Sequence, residues 1–167
     1  KSINELHILL NWVNSQKISC KIIGAGSNLL INDKGIEGLV LCTKKLHGAK
    51  INPSTGVVKA FSGESLPSLA RRAAKDGLHG MEWSIGIPGT LGGAIHMNAG
   101  AQGYCIADKI ISAEVMPLNG GTPITLSKEE LDFSYRTSLL QREELIVLSA
   151  YLKLEPGHNP KEIIQAT

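Results

Sequence analysis

A glycine-rich turn near the start of the chain has the residue types that bind phosphate oxygens. Its residues are Gly24, Ala25, Gly26, Ser27, Asn28 and Leu29. Glycines let successive backbone amides converge into a nest that binds anions, and Ser27 and Asn28 add side-chain donors. A Rossmann fingerprint would need glycine where Leu29 stands, and a P-loop would need a Gly-Lys pair, which the sequence lacks. A plain connection between two strands remains the alternative.

A second glycine cluster lies about sixty residues further along. Its candidate ligand-binding residues are Gly86, Ile87, Pro88, Gly89, Thr90, Gly92 and Gly93, followed by Asn98, Ala99 and Gly100. Pro88-Gly89 sets a turn, and Thr90 can cap a helix whose first turn contains Gly92-Gly93. Glycine destabilises a helix by about 1 kcal/mol relative to alanine. Glycine in a helix is therefore typical of places where a ligand or another backbone comes close. Bare glycine amides at a helix start favour a pyrophosphate, while tight helix–sheet packing is the alternative.

The two clusters together indicate a single ligand. Neither cluster matches a nucleoside-triphosphate motif, and two such elements in one chain favour an extended diphosphate that is held twice. FAD fits that description.

A tyrosine and an arginine stand side by side at Tyr135-Arg136. In an extended strand their side chains would point to opposite faces, whereas in a turn both can face one cavity. Arginine is a permanent cation with a planar fork that matches carboxylates, so the pair is a candidate site for chemistry on a carboxylate. A surface arginine beside a core tyrosine is the alternative.

Composition narrows the class of protein. The 167 residues carry 17 basic and 15 acidic side chains, a net charge of +2, which is too small for an electrostatic footprint on nucleic acid. No stretch approaches the roughly 20 apolar residues of a membrane span. Three dispersed cysteines indicate reduced thiols in a cytoplasmic protein, and the histidine spacing supports no metal site.

Apolar periodicity and capping signals predict the elements that position these residues. Ser2 and Glu5 form a capping-box pattern at the start of the first helix, and Ser127 with Glu130 repeats it before a short helical turn. Further along the chain, Ile111, Ala113 and Val115 alternate with Ser112 and Glu114. The predicted elements are a helix over 3–15, strands at 20–23, 38–42 and 57–61, a helix from Ser65 to Gly77, strands at 111–115, 124–126 and 145–154, and a helix that begins at Asn159-Pro160.

Taken together, three segments resemble a known family. GAGSNLL, GIPGTLGGAIHMNAGAQG and LDFSYRTS are similar, in order and spacing, to the UDP-N-acetylenolpyruvoylglucosamine reductases (UDP-N-acetylmuramate dehydrogenases) over about residues 22–154. The resemblance implies an α+β fold of the vanillyl-alcohol-oxidase (PCMH) type. It implies an α/β FAD-binding subdomain at 1–78, a subdomain with an antiparallel sheet at 79–155, and at 156–167 the start of a connection to a substrate domain.

The same resemblance implies a reaction. The family uses NADPH, through non-covalent FAD, to reduce the enolpyruvyl ether of a UDP-sugar in peptidoglycan synthesis, a process that supports cell-wall biogenesis, cell shape and cell division. Arg136 matches the family's catalytic arginine, and Tyr135 matches the neighbouring active-site tyrosine. The family's proton-donating serine and a second acidic catalytic residue lie in later segments that this sequence does not contain. We therefore expect a fragment that binds FAD without completing turnover, from a cytoplasmic enzyme that is a monomer.

Two other functions stay open on the sequence alone. One is a different FAD-dependent oxidoreductase of the same fold; many of these tether the flavin through His or Cys near the phosphate loop, and positions 24–30 contain neither. The other is a scaffold in which the glycines only permit tight packing.

Overall fold

The first glycine-rich turn is carried by a small unit at the start of the chain. A computed structural model describes residues 2–165. Helix α1 (Ile3–Ser15) opens with the predicted capping box and buries Leu10 and Val13. It leads into β1 (Cys20–Ile23), which pairs in parallel with β2 (Leu39–Cys42). The predicted helix and both strands are confirmed. The glycine-rich turn at 24–29 follows directly after β1.

A five-stranded sheet forms the framework of the rest. In chain order the remaining strands are β3 (Ala49–Asn52), β4 (Val57–Phe61), β5 (Gly100–Ala101), β6 (Tyr104–Cys105), β7 (Ile110–Pro117), β8 (Ile124–Ser127) and β9 (Leu145–Lys153). The sheet has the order β3-β4-β9-β7-β8 with antiparallel neighbours, and β5 and β6 form a separate two-stranded hairpin. The nearly continuous burial of β9 reflects packing on both of its faces, because Val147 and Ala150 lie in one buried cluster while Ile146 and Leu148 lie in another with Leu10 of α1.

Two details of the sheet differ from the sequence prediction. The prediction missed β3, a short edge strand in which Lys50 and Asn52 alternate with half-buried apolar residues. The alternation of apolar residues at 111–115 would bury Ile111 on the same face as Ala113 and Val115. This is wrong, because Ile111 is 44% exposed, whereas Ile110 is 4% exposed. A register shift between Ile110 and Ser112 inserts an extra residue and moves Ile111 to the outer face.

Three further helices cover the sheet or extend the chain. They are α2 (Leu66–Lys75), α3 (Leu91–His96) and α4 (Pro160–Gln165). Apolar residues of α2 and α3 belong to the same buried cluster as those of β4, β7 and β9, so both helices pack on the sheet. Ser65 lies at the predicted N-cap of α2 without a capping bond from its side chain, and Gly77 follows the helix with φ +71°. The second capping box, between Ser127 and Glu130, forms both hydrogen bonds and opens the predicted short turn, in which the Leu131 amide donates to the Ser127 carbonyl at 3.0 Å.

An ion pair between buried Glu64 and exposed Arg72 links α2 to the edge of the sheet. Glu64, which is 8% exposed, accepts hydrogen bonds from the Gly48 amide at 2.7 Å and from Arg72 Nη1 at 3.1 Å. Arg72 Nη2 donates to the carbonyl of Ala49 at 3.0 Å. Because Glu64 immediately precedes α2, this network also fixes the backbone that contacts the second glycine cluster.

The predicted division at residue 78 stays a prediction. The sheet takes β3 and β4 from before that residue and β7, β8 and β9 from after it. Both predicted subdomains therefore contribute strands to one sheet.

Two buried serines provide a matched test of this core. Ser62 and Ser149 are each 1% exposed, but the Ser149 hydroxyl donates to Glu114 Oε2 at 3.0 Å while the Ser62 hydroxyl has no partner among residues 2–165. We expect Ser62→Ala to leave the free energy of unfolding unchanged or to raise it by up to about 1 kcal/mol, and Ser149→Ala to lower it by about 1–2 kcal/mol. Urea denaturation measures both. Equal losses for the two variants would contradict the assignment.

Candidate functional site

The turn after β1 presents backbone amides to solvent. Gly24 is half-buried, and the residues from Ala25 to Leu29 are exposed. Gly26 has φ +76°, a conformation that glycine adopts without strain. Within residues 2–165, the amides of Ala25, Gly26, Ser27 and Asn28 donate to no protein acceptor. The turn therefore offers four consecutive donors to a ligand.

The second cluster uses most of its amides internally. Thr90 caps α3 by accepting from the Gly93 amide at 3.4 Å, as the sequence predicts. The amides of Leu91 and Gly92 donate to the carbonyls of Glu64 and Ser62 at 2.9 and 2.8 Å. The hypothesis of bare glycine amides at the start of α3 is therefore wrong, because protein acceptors occupy them.

The available donors of the second cluster lie before the helix. The Ile87 amide bonds to the carbonyl of Ser84 at 3.1 Å, whereas the amides of Gly86 and Gly89 have no acceptor within residues 2–165. Gly89 has φ +147°, which side chains rarely tolerate. The Gly86–Gly89 segment, which includes Pro88, therefore offers two unpartnered backbone amides.

The two clusters touch each other. Ser27 Oγ donates to the carbonyl of Pro88 at 2.8 Å. Gly24 lies against Thr90 so closely that a Cβ at position 24 would overlap Thr90 Oγ1. The structure thus brings residues 24–28 and 86–93 onto one surface, although about sixty residues of chain separate them. Their role in binding stays a prediction.

Asn98 forms hydrogen bonds within the protein, and its predicted role toward a ligand stays a prediction. It is 8% exposed with φ +42°, its Nδ2 donates to the carbonyl of Ser134 at 2.8 Å, and its Oδ1 accepts from the Ala107 amide at 3.3 Å. Both polar atoms of the side chain are therefore used within the protein, so Asn98 holds the segment that contains Tyr135. Ala99 is buried, and a Cβ on Gly100 would overlap the carbonyl of Tyr104 in the β5–β6 hairpin.

Tyr135 and Arg136 occupy a tight turn. Ser134 and Thr137 exchange both backbone hydrogen bonds, at 3.0 and 3.1 Å, and Arg136 has φ +56°. Both side chains line one cavity of about 430 Å³, as the turn alternative predicts. Its lining residues are Asn98, Gly100, Ala101, Gly103, Tyr104, Cys105, Tyr135 and Arg136.

The charge of Arg136 is available at this cavity. Its guanidinium carbon lies 5.8 Å from the centre of the Tyr135 ring, and no carboxylate within residues 2–165 forms an ion pair with it. Tyr135 itself is 89% exposed. An unpaired cation above an exposed ring can receive an anionic substrate.

Sequence reasoning missed two residues that support this turn. Gln141 Nε2 donates to the carbonyls of Arg136 and His96 at 2.9 and 3.1 Å, and Ser138 Oγ donates to the same His96 carbonyl at 2.8 Å. Residues 138 and 141 lie close to Arg136 in sequence, but their contacts with His96 cross more than forty residues of chain. No local pattern could have identified them.

Two titratable groups near the cavity are kept neutral. Burial lowers the pKa of His96, and burial together with the nearby Asp108 carboxylate raises the pKa of the Cys105 thiol. A raised pKa disfavours the thiolate, so Cys105 is not an activated nucleophile. Across residues 2–165 no cluster of three or more potential ligands could hold a metal ion, and none of the helices there has the length and apolarity to cross a membrane.

Comparison with known proteins identifies similar sequences. A family model described as "FAD binding domain" matches residues 1–127. The chain is 57% identical over 166 residues to a UDP-N-acetylenolpyruvoylglucosamine reductase of Prochlorococcus marinus, covering 99% of this chain and 54% of that protein. A reductase of the same name from Nostoc punctiforme is 46% identical and covers 100% of this chain and 50% of that protein. The chain thus spans about half the length of these relatives.

Solved structures confirm the predicted fold. The crystal structure of UDP-N-acetylenolpyruvylglucosamine reductase (MurB) from Thermus caldophilus matches with a TM-score of 0.81 and 32% identity, covering 99% of this chain and 57% of that one. A cholesterol oxidase from Brevibacterium sterolicum matches with a TM-score of 0.72, covering 93% of this chain and 33% of that one. At 16% identity, the oxidase shows a shared fold alone. The predicted resemblance and the α+β fold class are both confirmed.

The lowered pKa of His96 predicts a pH dependence of stability. Between the unfolded value near 6.5 and the lower folded value, the unfolded chain binds more protons, so the free energy of unfolding should decrease as the pH falls through this window. Denaturation of His96→Gln should show a smaller decrease than the wild type. A wild-type slope in His96→Gln would contradict the prediction.

Proposed function

The chain belongs to the FAD-binding domain family, and we propose that it is the flavin-holding part of a UDP-N-acetylenolpyruvoylglucosamine reductase. The high identity to reductases of that name over the whole described chain supports this function. The contact between the two glycine clusters carries the proposal, because it creates one surface with unpartnered amides from both.

The geometry of individual glycines distinguishes a ligand site from a packing device. A Cβ on Gly92 would press on Ser62, and one on Gly100 would overlap Tyr104, so close packing accounts for both. A Cβ on Gly26 or Gly86 would meet nothing within 4 Å. Close packing therefore does not explain glycine at positions 26 and 86, which lie beside open space and carry unpartnered amides. Such a surface fits the diphosphate of FAD, whose oxygens accept hydrogen bonds from amide nests.

The cavity lined by Tyr135 and Arg136 fits the other half of the proposed reaction. Bound FAD would supply hydride transfer between NADPH and the enolpyruvyl ether of the UDP-sugar. Hydride addition beside a carboxylate increases negative charge, and a preplaced cation stabilises that charge most in the transition state. Arg136 provides such a cation at the cavity wall, and the adjacent Tyr135 adds a hydroxyl. The product class is a peptidoglycan precursor, which connects the chain to cell-wall biogenesis, cell shape and cell division in the cytoplasm.

A non-covalent flavin is part of the proposal. The turn at 24–29 contains neither His nor Cys. The thiol of Cys42 donates to the carbonyl of Gly24 at 3.5 Å, so it is the thiol to test for a covalent link. Acid precipitation should leave all flavin in the supernatant. Flavin in the pellet would contradict the proposal, and Cys42→Ser would identify the attachment site.

Substitution of Gly24 tests the contact between the clusters. In Gly24→Ala, the new methyl group collides with Thr90 Oγ1, which is held by the Gly93 amide, so the two clusters must separate. We expect the Kd for FAD, measured by quenching of flavin fluorescence, to rise at least about tenfold, or 1.4 kcal/mol.

A double variant provides the control. In a Thr90→Ala background the collision is absent, and the same Gly24→Ala change should weaken FAD binding by a much smaller factor. Unchanged binding in Gly24→Ala, or an equal loss in both backgrounds, would show that the contact does not organise the site. A protein that binds no FAD at all would refute the proposed function.

Arg136 is tested in the full-length enzyme. Arg136→Lys keeps the charge but loses the planar fork, so we expect kcat to fall by roughly 100-fold while flavin content stays the same. Arg142→Lys is the matched control, because Arg142 is 54% exposed and pairs with Asp132 in the same region. Turnover unchanged by Arg136→Lys would remove Arg136 from the mechanism.

A further inference from the structure

The turn that carries Arg136 needs support from outside itself. It is closed by the pair Ser134 and Thr137, and Arg136 has φ +56°, a conformation that is strained for a non-glycine residue. The side chains of Tyr135 and Arg136 are exposed, so their burial cannot stabilise the turn. An isolated two-residue hairpin of this kind is marginally stable in water.

Gln141 supplies that support through one atom. Its Nε2 donates to the carbonyls of Arg136 and His96 at 2.9 and 3.1 Å and lies 3.5 Å from Met97 Sδ. The orientation of the carboxamide is determined by chemistry, because both carbonyls are acceptors and only the nitrogen can donate to them. Both hydrogens of the amide are thereby used.

The contact with His96 connects the turn to the glycine clusters. His96 is the last residue of α3, and Thr90 at the start of the same helix lies against Gly24. A helix of six residues is about 9 Å long and rigid on that scale. Gln141 therefore fixes Arg136 relative to the surface that is proposed to hold the flavin. Asn98 holds the other side of the turn at the carbonyl of Ser134.

We propose that Gln141 is a positioning residue for Arg136, which bridges the Arg136 backbone to the end of α3 and so sets the distance between the catalytic cation and the flavin. The proposal rests on the proposed function for the role of Arg136, but the bridge itself can be tested without turnover. The positioning role predicts that Gln141 affects the reaction only through the placement of Arg136.

The first experiment measures the bridge in the full-length holoenzyme. Gln141→Leu has a similar size but no donor, and we expect amide hydrogen exchange at Ser134 and Thr137 to accelerate at least about tenfold, with the exchange of α2 and the FAD content unchanged. Gln16→Leu makes the same chemical change at an exposed glutamine outside the site and should leave exchange at the turn unchanged. Wild-type exchange in Gln141→Leu would overturn the proposal.

The second experiment measures the consequence for the reaction. Misplacement by about 1 Å can cost 100-fold in rate, so we expect Gln141→Leu to lower kcat at least about tenfold with an unchanged KM for NADPH. Gln141→Lys, whose ammonium can donate to both carbonyls, should recover most of the loss. In an Arg136→Ala background, Gln141→Leu should cause no further loss, because its effect passes through Arg136.

The outcomes separate the two proposals. Additive losses in Gln141→Leu and Arg136→Ala, or no recovery by Gln141→Lys, would overturn the positioning role even if the enzyme is a reductase. The proposed function would instead be refuted if the wild-type enzyme showed no UDP-sugar-dependent oxidation of NADPH. In that case faster exchange at the turn still supports the bridge, and unchanged exchange overturns it.

Discussion

The contact between the two glycine clusters is the constraint on which the rest of the site depends. Ser27 Oγ holds the carbonyl of Pro88, and Gly24 lies against Thr90 with no room for a side chain. These two contacts set the separation between the unpartnered amides of residues 25–28 and those of Gly86 and Gly89. The second cluster is anchored in turn by the carbonyls of Glu64 and Ser62, which accept from the amides of Leu91 and Gly92.

Short helix α3 transmits this arrangement to the proposed reaction site. Its first turn is fixed to the clusters by Thr90, and its last carbonyl, at His96, accepts from Ser138 and Gln141. Gln141 also holds the Arg136 carbonyl, so hydrogen bonds join the end of α3 to the backbone of Arg136. Neutral groups line this path, because burial lowers the pKa of His96 and raises that of Cys105. Because His96 is neutral, α3 places no second positive charge near Arg136.

Local signals predicted much of the fold and some of the site. Capping residues such as Ser2 and Thr90 and apolar periodicity gave most of the helices and strands, because those features depend on neighbours within a few residues. The missing strand β3 is short and polar, and the inward face of β7 depended on a bulge that is visible only in its pairing with β9. Amides at the start of α3 could not be assigned from sequence, since their acceptors Glu64 and Ser62 come from another segment. The same reason explains why Gln141 was missed.

Both glycine clusters are proposed to bind the same dinucleotide. Titration of the ¹⁵N-labelled protein with FAD, followed by amide chemical shifts, measures this binding at single residues. Shifts should appear at residues 25–28 and at Gly86 and Gly89 with one common Kd, whereas the amides of Leu91, Gly92 and Gly93 should keep their hydrogen bonds and move less. Shifts confined to one cluster, or two clusters that saturate with different affinities, would contradict a single ligand held by both.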